Sequence, residues 1–137
     1  MSAVLVLALV LLSLTCVTDA ISDACLTCIC KQESYGCTQI GCRMDGRSLS
    51  CGYFQIKKSY WIDCGRLGSS WEACADDYNC AVRCVRAYMK KYIGKSGCTA
   101  NCKNYARLHN GGPKGCTKPS TLTYWNAVKN QGCSINS

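Results

Sequence analysis

The cysteines constrain this chain more than any other feature. The 137 residues contain fifteen, and one of them, Cys16, lies in an N-terminal apolar segment. Ala3 to Leu14 is almost unbroken aliphatic sequence, too short to span a bilayer as a helix. It is followed by Thr18-Asp19-Ala20, a small-residue pattern suited to signal peptidase. Residues 1–20 therefore read as a signal peptide and residues 21–137 as the mature domain. Its removal takes Cys16 with it and leaves an even set: Cys25, Cys28, Cys30, Cys37, Cys42, Cys51, Cys64, Cys74, Cys80, Cys84, Cys98, Cys102, Cys116 and Cys133. In an exported chain such a set predicts a secreted, extracellular domain closed by about seven disulfides, with the pairing left open. Zinc is the competing reading of the Cys25-Leu-Thr-Cys28 spacing. A single histidine, His109, and cysteines spread along the whole chain weigh against it, so neither metal nor cofactor is expected.

The remaining sequence has the length of one domain. Net charge is +8 over the full chain and becomes +9 when Asp19 leaves with the leader. Such a field attracts acidic polymers. The bases are scattered, with Lys57-Lys58 and Lys90-Lys91 as local doublets, and no nucleic-acid fold signature accompanies them, so nucleic acid is not the expected partner. No later stretch is apolar enough to cross a membrane.

Periodicity predicts a helix-rich α+β domain with one small β-hairpin. A first helix is expected from Ser22, as N-cap, to about Glu33, stopping near Gly36. Ile40 to Met44 and Leu49 to Ile56 are expected as short strands around Asp45-Gly46-Arg47-Ser48, whose Asp-Gly pair signals a turn. Cys80, Ala81, Cys84, Val85, Tyr88, Met89 and Tyr92 mark one face of a helix over residues 76–92. Another is expected over residues 101–109, stopped by Asn110-Gly111-Gly112-Pro113, and a short one over residues 123–128.

The candidate chemistry rests on carboxyls. Glu33 closes a cysteine-locked helix and Asp45 lies in the hairpin, with Cys30, Cys37 and Cys42 pinning the segment between them. Glycoside hydrolysis needs such a pair, one protonated to give its proton to the leaving oxygen and one ionised to meet the oxocarbenium-like carbon. By spacing alone the two acids read equally well as solvated groups, and Asp45 as a turn residue. Tyr53-Phe54-Gln55-Ile56-Lys57 and Tyr60-Trp61-Ile62-Asp63 add the aromatic and polar mixture that binds sugars, with core packing as the alternative for each ring.

Several stretches together resemble the invertebrate-type (i-type) lysozymes of the destabilase family. They are Cys25-Leu-Thr-Cys-Ile-Cys-Lys-Gln-Glu33-Ser, Gly41-Cys-Arg-Met-Asp45, Ser48-Leu-Ser-Cys-Gly-Tyr-Phe-Gln-Ile-Lys57, Tyr60-Trp-Ile-Asp-Cys-Gly65, Tyr88-Met-Lys-Lys-Tyr92 and Ala106-Arg-Leu-His-Asn-Gly-Gly-Pro-Lys-Gly-Cys116. The resemblance covers essentially all of the mature chain. It implies a lysozyme-like fold and an antibacterial muramidase that cleaves the β-1,4 bond between N-acetylmuramic acid and N-acetylglucosamine in bacterial peptidoglycan. Glu33 then matches the general acid and Asp45 the nucleophile. Lys57, Tyr60, Trp61, Asp63, Tyr88, Tyr92, His109, Asn110 and Gly111 match positions expected to line the saccharide cleft. The family also implies an isopeptidase alternative built on Ser50 and Lys57, with Ser48 and His109 as further candidates. A non-enzymatic cationic antibacterial or glycan-binding protein is the third reading, and His109 reads equally as a partner for its helix dipole. The expected assembly is a monomer or a weak homodimer.

One departure from the family pattern is local. The family reads Met-Asp-x-Gly-Ser where this chain has Met44-Asp45-Gly46-Arg47-Ser48. If position 47 requires a positive φ, arginine there costs about 1 kcal/mol or more of strain, and its guanidinium is placed to pair with Asp45.

Overall fold

The computed structural model describes residues 20–137; the leader reading falls on residues 1–19, outside the described part. The helices are α1 (Asp23–Glu33), α2 (Lys58–Asp63), α3 (Trp71–Ala75), α4 (Tyr78–Ser96), α5 (Cys102–Gly111) and α6 (Thr121–Lys129), with a 3-10 turn at Gly115–Thr117 before α6. Strands β1 (Cys42–Asp45) and β2 (Ser48–Cys51) form one antiparallel hairpin. This is the predicted helix-rich α+β architecture.

Helix α1 starts where its chemistry dictates. The Ser22 hydroxyl accepts the Cys25 N–H at 3.0 Å, and Asp23 sits in the first turn. Its inward face carries Cys25, Leu26, Cys28, Ile29 and Cys30, all buried. At its end Ser34 turns its hydroxyl back to the Cys30 carbonyl, and the chain leaves through Tyr35, Gly36 and Cys37, all at positive φ. Helix α4 begins two residues later than the periodicity predicts, because Asp77 caps it by accepting the Cys80 N–H at 2.8 Å, and it runs past the predicted end at Tyr92 to Ser96 and a left-handed Gly97. Helix α5 is capped by Asn101. The largest fully buried side chains include Phe54, Leu26, Ile29, Ile56, Met89, Leu108, Val85 and Val128, so α1, α4, α5 and α6 share one core.

Seven disulfides use all fourteen cysteines of the described residues: Cys25–Cys102, Cys28–Cys133, Cys30–Cys37, Cys42–Cys51, Cys64–Cys84, Cys74–Cys80 and Cys98–Cys116. They divide into two kinds. Cys25–Cys102 and Cys28–Cys133 join residues 77 and 105 apart, tying α1 to α5 and to the C-terminal segment. Cys30–Cys37 and Cys42–Cys51 close short loops and flank the segments that carry Glu33 and Asp45.

Both strands are shorter than the sequence predicts, and one glycine explains the second. Gly52 has φ +79°, and a Cβ there would lie 1.7 Å from the Ala75 carbonyl oxygen. The chain therefore bends hard against the end of α3, where the Tyr53 N–H donates to the same carbonyl at 3.1 Å. Ile56 then returns to bridge Cys51 instead of extending β2.

Candidate active site

The hairpin register places Asp45 opposite Ser48 and Arg43 opposite Ser50. Side chains alternate along a strand, so these four lie on one face, and Met44 and Leu49 lie on the other. Asp45 is the last strand residue, not a turn residue. The two-residue turn is Gly46-Arg47; Gly46 takes φ +66° and Arg47 does not have a positive φ, the signature of a type II′ turn. The expected strain at Arg47 therefore does not arise. Nor does Arg47 pair with Asp45, whose partner is Lys57 at 3.4 Å. The Lys57 ammonium also donates to Ser48 Oγ at 2.7 Å and Ser50 Oγ at 3.3 Å, so β2 aims the lysine that in turn orients Asp45.

Glu33 faces this hairpin from the end of α1. Both carboxyls line one cleft of about 230 Å³, together with Ser50, Lys57, Tyr60, Asp63, Tyr88, His109 and Asn110. The two carboxyls sit in different media. Burial pushes Glu33 up to about 7; the Tyr124 hydroxyl restrains the rise, the Asp45 charge adds to it and the Lys57 ammonium opposes it. The Tyr124 hydroxyl, itself buried, acts directly on the Glu33 carboxyl. The Asp45 side chain is 73 % exposed.

Rings in contact line one side of the cleft, Tyr60 stacked on Tyr88 and meeting His109 edge-on. Tyr60 lies flat on Tyr88, centroids 3.7 Å apart and planes within 9°, and the Tyr60 hydroxyl meets His109 Nδ1 at 3.0 Å. His109 Nε2 sits 2.8 Å from the Phe54 carbonyl. A carbonyl only accepts, so Nε2 carries the proton and Nδ1 accepts from Tyr60. Burial pulls the His109 pKa down to about 4, which keeps that neutral tautomer at physiological pH. Both ring nitrogens are therefore committed to holding α5 against the 53–60 segment.

Of the other sequence candidates, Trp61, Tyr92, Gly111 and Ser48 lie outside the cleft lining. The Trp61 indole N–H donates to the Leu67 carbonyl at 2.8 Å. Gly111 is a packing glycine, since a Cβ would lie 2.6 Å from Thr121 Cγ2. Tyr92 packs beside Tyr88, near the Lys91–Asp63 ion pair at 3.7 Å. The lining also includes Gln55, Ile56, Ser59, Gly112 and Pro113, which sequence reasoning did not assign to substrate. Gln55 stood within the aromatic and amide cluster, and its amide donates to the Gly41 and Gly52 carbonyls. Gly112-Pro113 read only as a helix stop, a signal that says nothing of what the following loop faces.

Comparison with known proteins places the fold in a family. The family profile described as Destabilase matches residues 22–131. A lysozyme of Magallana gigas is 66 % identical over 117 residues, 85 % of each chain. An invertebrate-type lysozyme of Ruditapes philippinarum is 55 % identical over 114 residues, 82 % of this chain and 84 % of the relative. The crystal structure of Tapes japonica lysozyme superposes with a TM-score of 0.81 at 54 % identity, covering 85 % of this chain and 95 % of that one. With a profile match across nearly all of the described residues, relatives more than half identical and a shared fold, the chain belongs to the destabilase family of invertebrate-type lysozymes.

Proposed function

We propose that the protein is an antibacterial muramidase, a glycoside hydrolase of the peptidoglycan backbone, with Glu33 as general acid and Asp45 as nucleophile. The observation that carries this reading is the contrast between the two carboxyls of one cleft. Glu33, raised to about 7, is largely protonated at mildly acidic pH and about half protonated at neutral pH, so it has a proton to give. Asp45, open to solvent and paired with Lys57, supplies the charge. Lysozymes are themselves the type case of this division of labour.

The chemistry follows in two steps. Glu33 protonates the glycosidic oxygen as the bond from that oxygen to C1 breaks. The Asp45 carboxylate attacks C1 and forms a glycosyl ester, and the first sugar chain leaves. Water then attacks C1, Glu33 takes its proton, and Asp45 is released. Glu33→Gln removes the proton donor and should abolish clearing of bacterial walls in a turbidity assay while the fold persists. Undiminished clearing would sink the assignment. Retention of the anomeric configuration in the first product, read by NMR, tests the nucleophile role against an inverting one.

The isopeptidase reading draws on the Ser50–Lys57–Ser48 contacts. A lysine base must be neutral, a state obtained by burial, whereas the Lys57 side chain is 40 % exposed and ion-paired. Both nitrogens of His109 are occupied. The muramidase reading is therefore preferred; γ-glutamyl-lysine cleavage lost in Ser50→Ala would reverse that preference. No described helix is long and apolar enough to cross a membrane. The seven disulfides fit an extracellular protein. Cleavage after Ala20 would start the mature chain at Ile21, the first buried residue among those described, and N-terminal sequencing of the secreted product tests it.

A further inference from the structure

Beside the cleft, on the cleft-facing side of the hairpin, stands a cation that the hydrolysis does not use. Arg43 lies two residues before Asp45 on β1 and shares its face. Its guanidinium sits 4.8 Å from the centroid of the Tyr35 ring, and Nη1 donates to the Tyr35 hydroxyl at 2.9 Å. Tyr35 follows Glu33 by two residues, so each member of this pair neighbours one of the two carboxyls. Both are on the surface, with Tyr35 71 % exposed.

Three features make the pair a receptor for an anion. First, Arg43 is absent from the ion pairs among the described residues, which join Lys57 to Asp45, Arg86 to Asp23 and Lys91 to Asp63. An arginine has five N–H donors, and one is engaged by Tyr35, so a fork of donors remains for a carboxylate. Second, the guanidinium is oriented in advance. Stacking on a ring and a hydrogen bond to its hydroxyl remove the rotamer freedom that an ordinary surface arginine loses on binding. Third, the support is itself held. Tyr35 occupies a left-handed φ of +53°, unusual for a bulky residue, inside the loop closed by Cys30–Cys37. On the other side, Cys42–Cys51 pins the base of the hairpin next to Arg43.

We propose that Arg43, oriented by Tyr35, binds a carboxylate of the peptide stem carried on the lactyl arm of the muramyl sugar, so that this muramidase prefers stem-bearing glycan to bare glycan. The inference rests on the muramidase reading and adds to it the part of the substrate read outside the sugar cleft. Arg43 acts on the stem; Tyr35 is a positioning residue that acts through Arg43.

The test compares initial rates on soluble uncross-linked peptidoglycan strands with rates on the same strands stripped of stems by an amidase, at low ionic strength. Arg43→Ala should raise KM on the stem-bearing strands about three- to fivefold, the scale of one exposed charge-assisted contact, with kcat kept. The amidase leaves the lactyl carboxylate on each muramyl sugar, so the KM of Arg43→Ala on stripped strands should match the wild type only if the stem is what Arg43 binds. An equal rise on both substrates would assign Arg43 to the lactyl carboxylate and overturn the proposal. Tyr35→Ala should show the same split with a smaller rise. Arg47→Ala removes an exposed hairpin cation with no ring beneath it and should change neither substrate.

Equal losses in Arg43→Ala and Arg47→Ala would mean unspecific attraction and overturn the proposal. An equal loss of kcat on both substrates would make the Tyr35–Arg43 contact a clamp on the hairpin and overturn it as well. Failure of the parent reading has a different mark: wild type that cleaves neither substrate, or Glu33→Gln that cleaves both at the wild-type rate.

Discussion

The end of α1 and the β-hairpin each present one carboxyl to the same cleft, and they do so by opposite means. Helix α1 is anchored in the core along its whole inner face and by three disulfides. Its last residue, Glu33, sits where burial raises a carboxyl. The hairpin is two strands of four residues whose strand side chains are mostly exposed, and its charge is oriented by a network of Lys57, Ser48 and Ser50. A two-stranded ribbon on its own is marginal in water. The helix sets a pKa through the medium around its end; the hairpin sets a direction through contacts. One chemical group thereby serves two roles.

The largest effects should come from the carboxyls themselves. Glu33→Gln should cost about 10³-fold or more in kcat, within the range of general acid catalysis, and Asp45→Asn should cost a similar factor. The two should part in their stability profiles. A carboxyl whose folded pKa exceeds its unfolded value binds more protons in the folded state, so stability falls as pH rises from about 4.5 to about 7. Glu33→Gln abolishes that slope. Above pH 7 it should therefore be more stable than wild type, by about 1–3 kcal/mol given the size of the shift, and near pH 4 it should match it. Chemical denaturation at pH 4 and pH 8 measures both limits. Equal midpoints for wild type and Glu33→Gln at pH 8 would mean that burial is not what sets Glu33 apart from Asp45.

A smaller effect, aimed at the hairpin alone, is removal of its bridge. Cys42→Ala with Cys51→Ala opens a loop of nine residues, for which chain entropy allows about 2.5 kcal/mol. Because the hairpin is held by local contacts and the helices by the core, activity should drop about tenfold at temperatures where the helical circular dichroism is unchanged. Loss of helix in step with activity would show that hairpin and core unfold together and that the division drawn above is wrong.

The sequence made the helical frame legible and the hairpin only partly so, for a physical reason. A helix declares itself through a 3.6-residue period and its caps, and Ser22 and Asn101 mark starts that the structure keeps, whereas α4 runs past its expected end at Tyr92 to Ser96. The ends of short strands depend on contacts far along the chain. Nothing near Gly52 announces that Ala75 will stand 1.7 Å from any Cβ placed there, so β2 was expected to continue to Ile56. Helices α2 and α3 are a turn or so long and carry too little period to be read. Bridge pairing is equally non-local. For the site, the two carboxyls followed from the family resemblance, but the commitment of both His109 nitrogens did not, since it requires knowing that the Phe54 carbonyl and the Tyr60 hydroxyl face one ring.

The smallest effect separates the two turn residues that follow Asp45. Gly46 has φ +66° with open space where a Cβ would go, so Gly46→Ala meets no clash and isolates the backbone cost. That cost, about 1 kcal/mol for a non-glycine residue at positive φ, should appear as a drop in thermal stability confined to the hairpin, read by amide hydrogen exchange at β1 and β2. Arg47, at a φ that any residue tolerates, should accept alanine without measurable change. If Arg47→Ala loosened the hairpin as much as Gly46→Ala, the turn would be held by the arginine side chain. Asp45 would then owe its direction to the turn as well as to Lys57, and the hairpin would no longer be the purely contact-directed partner of Glu33.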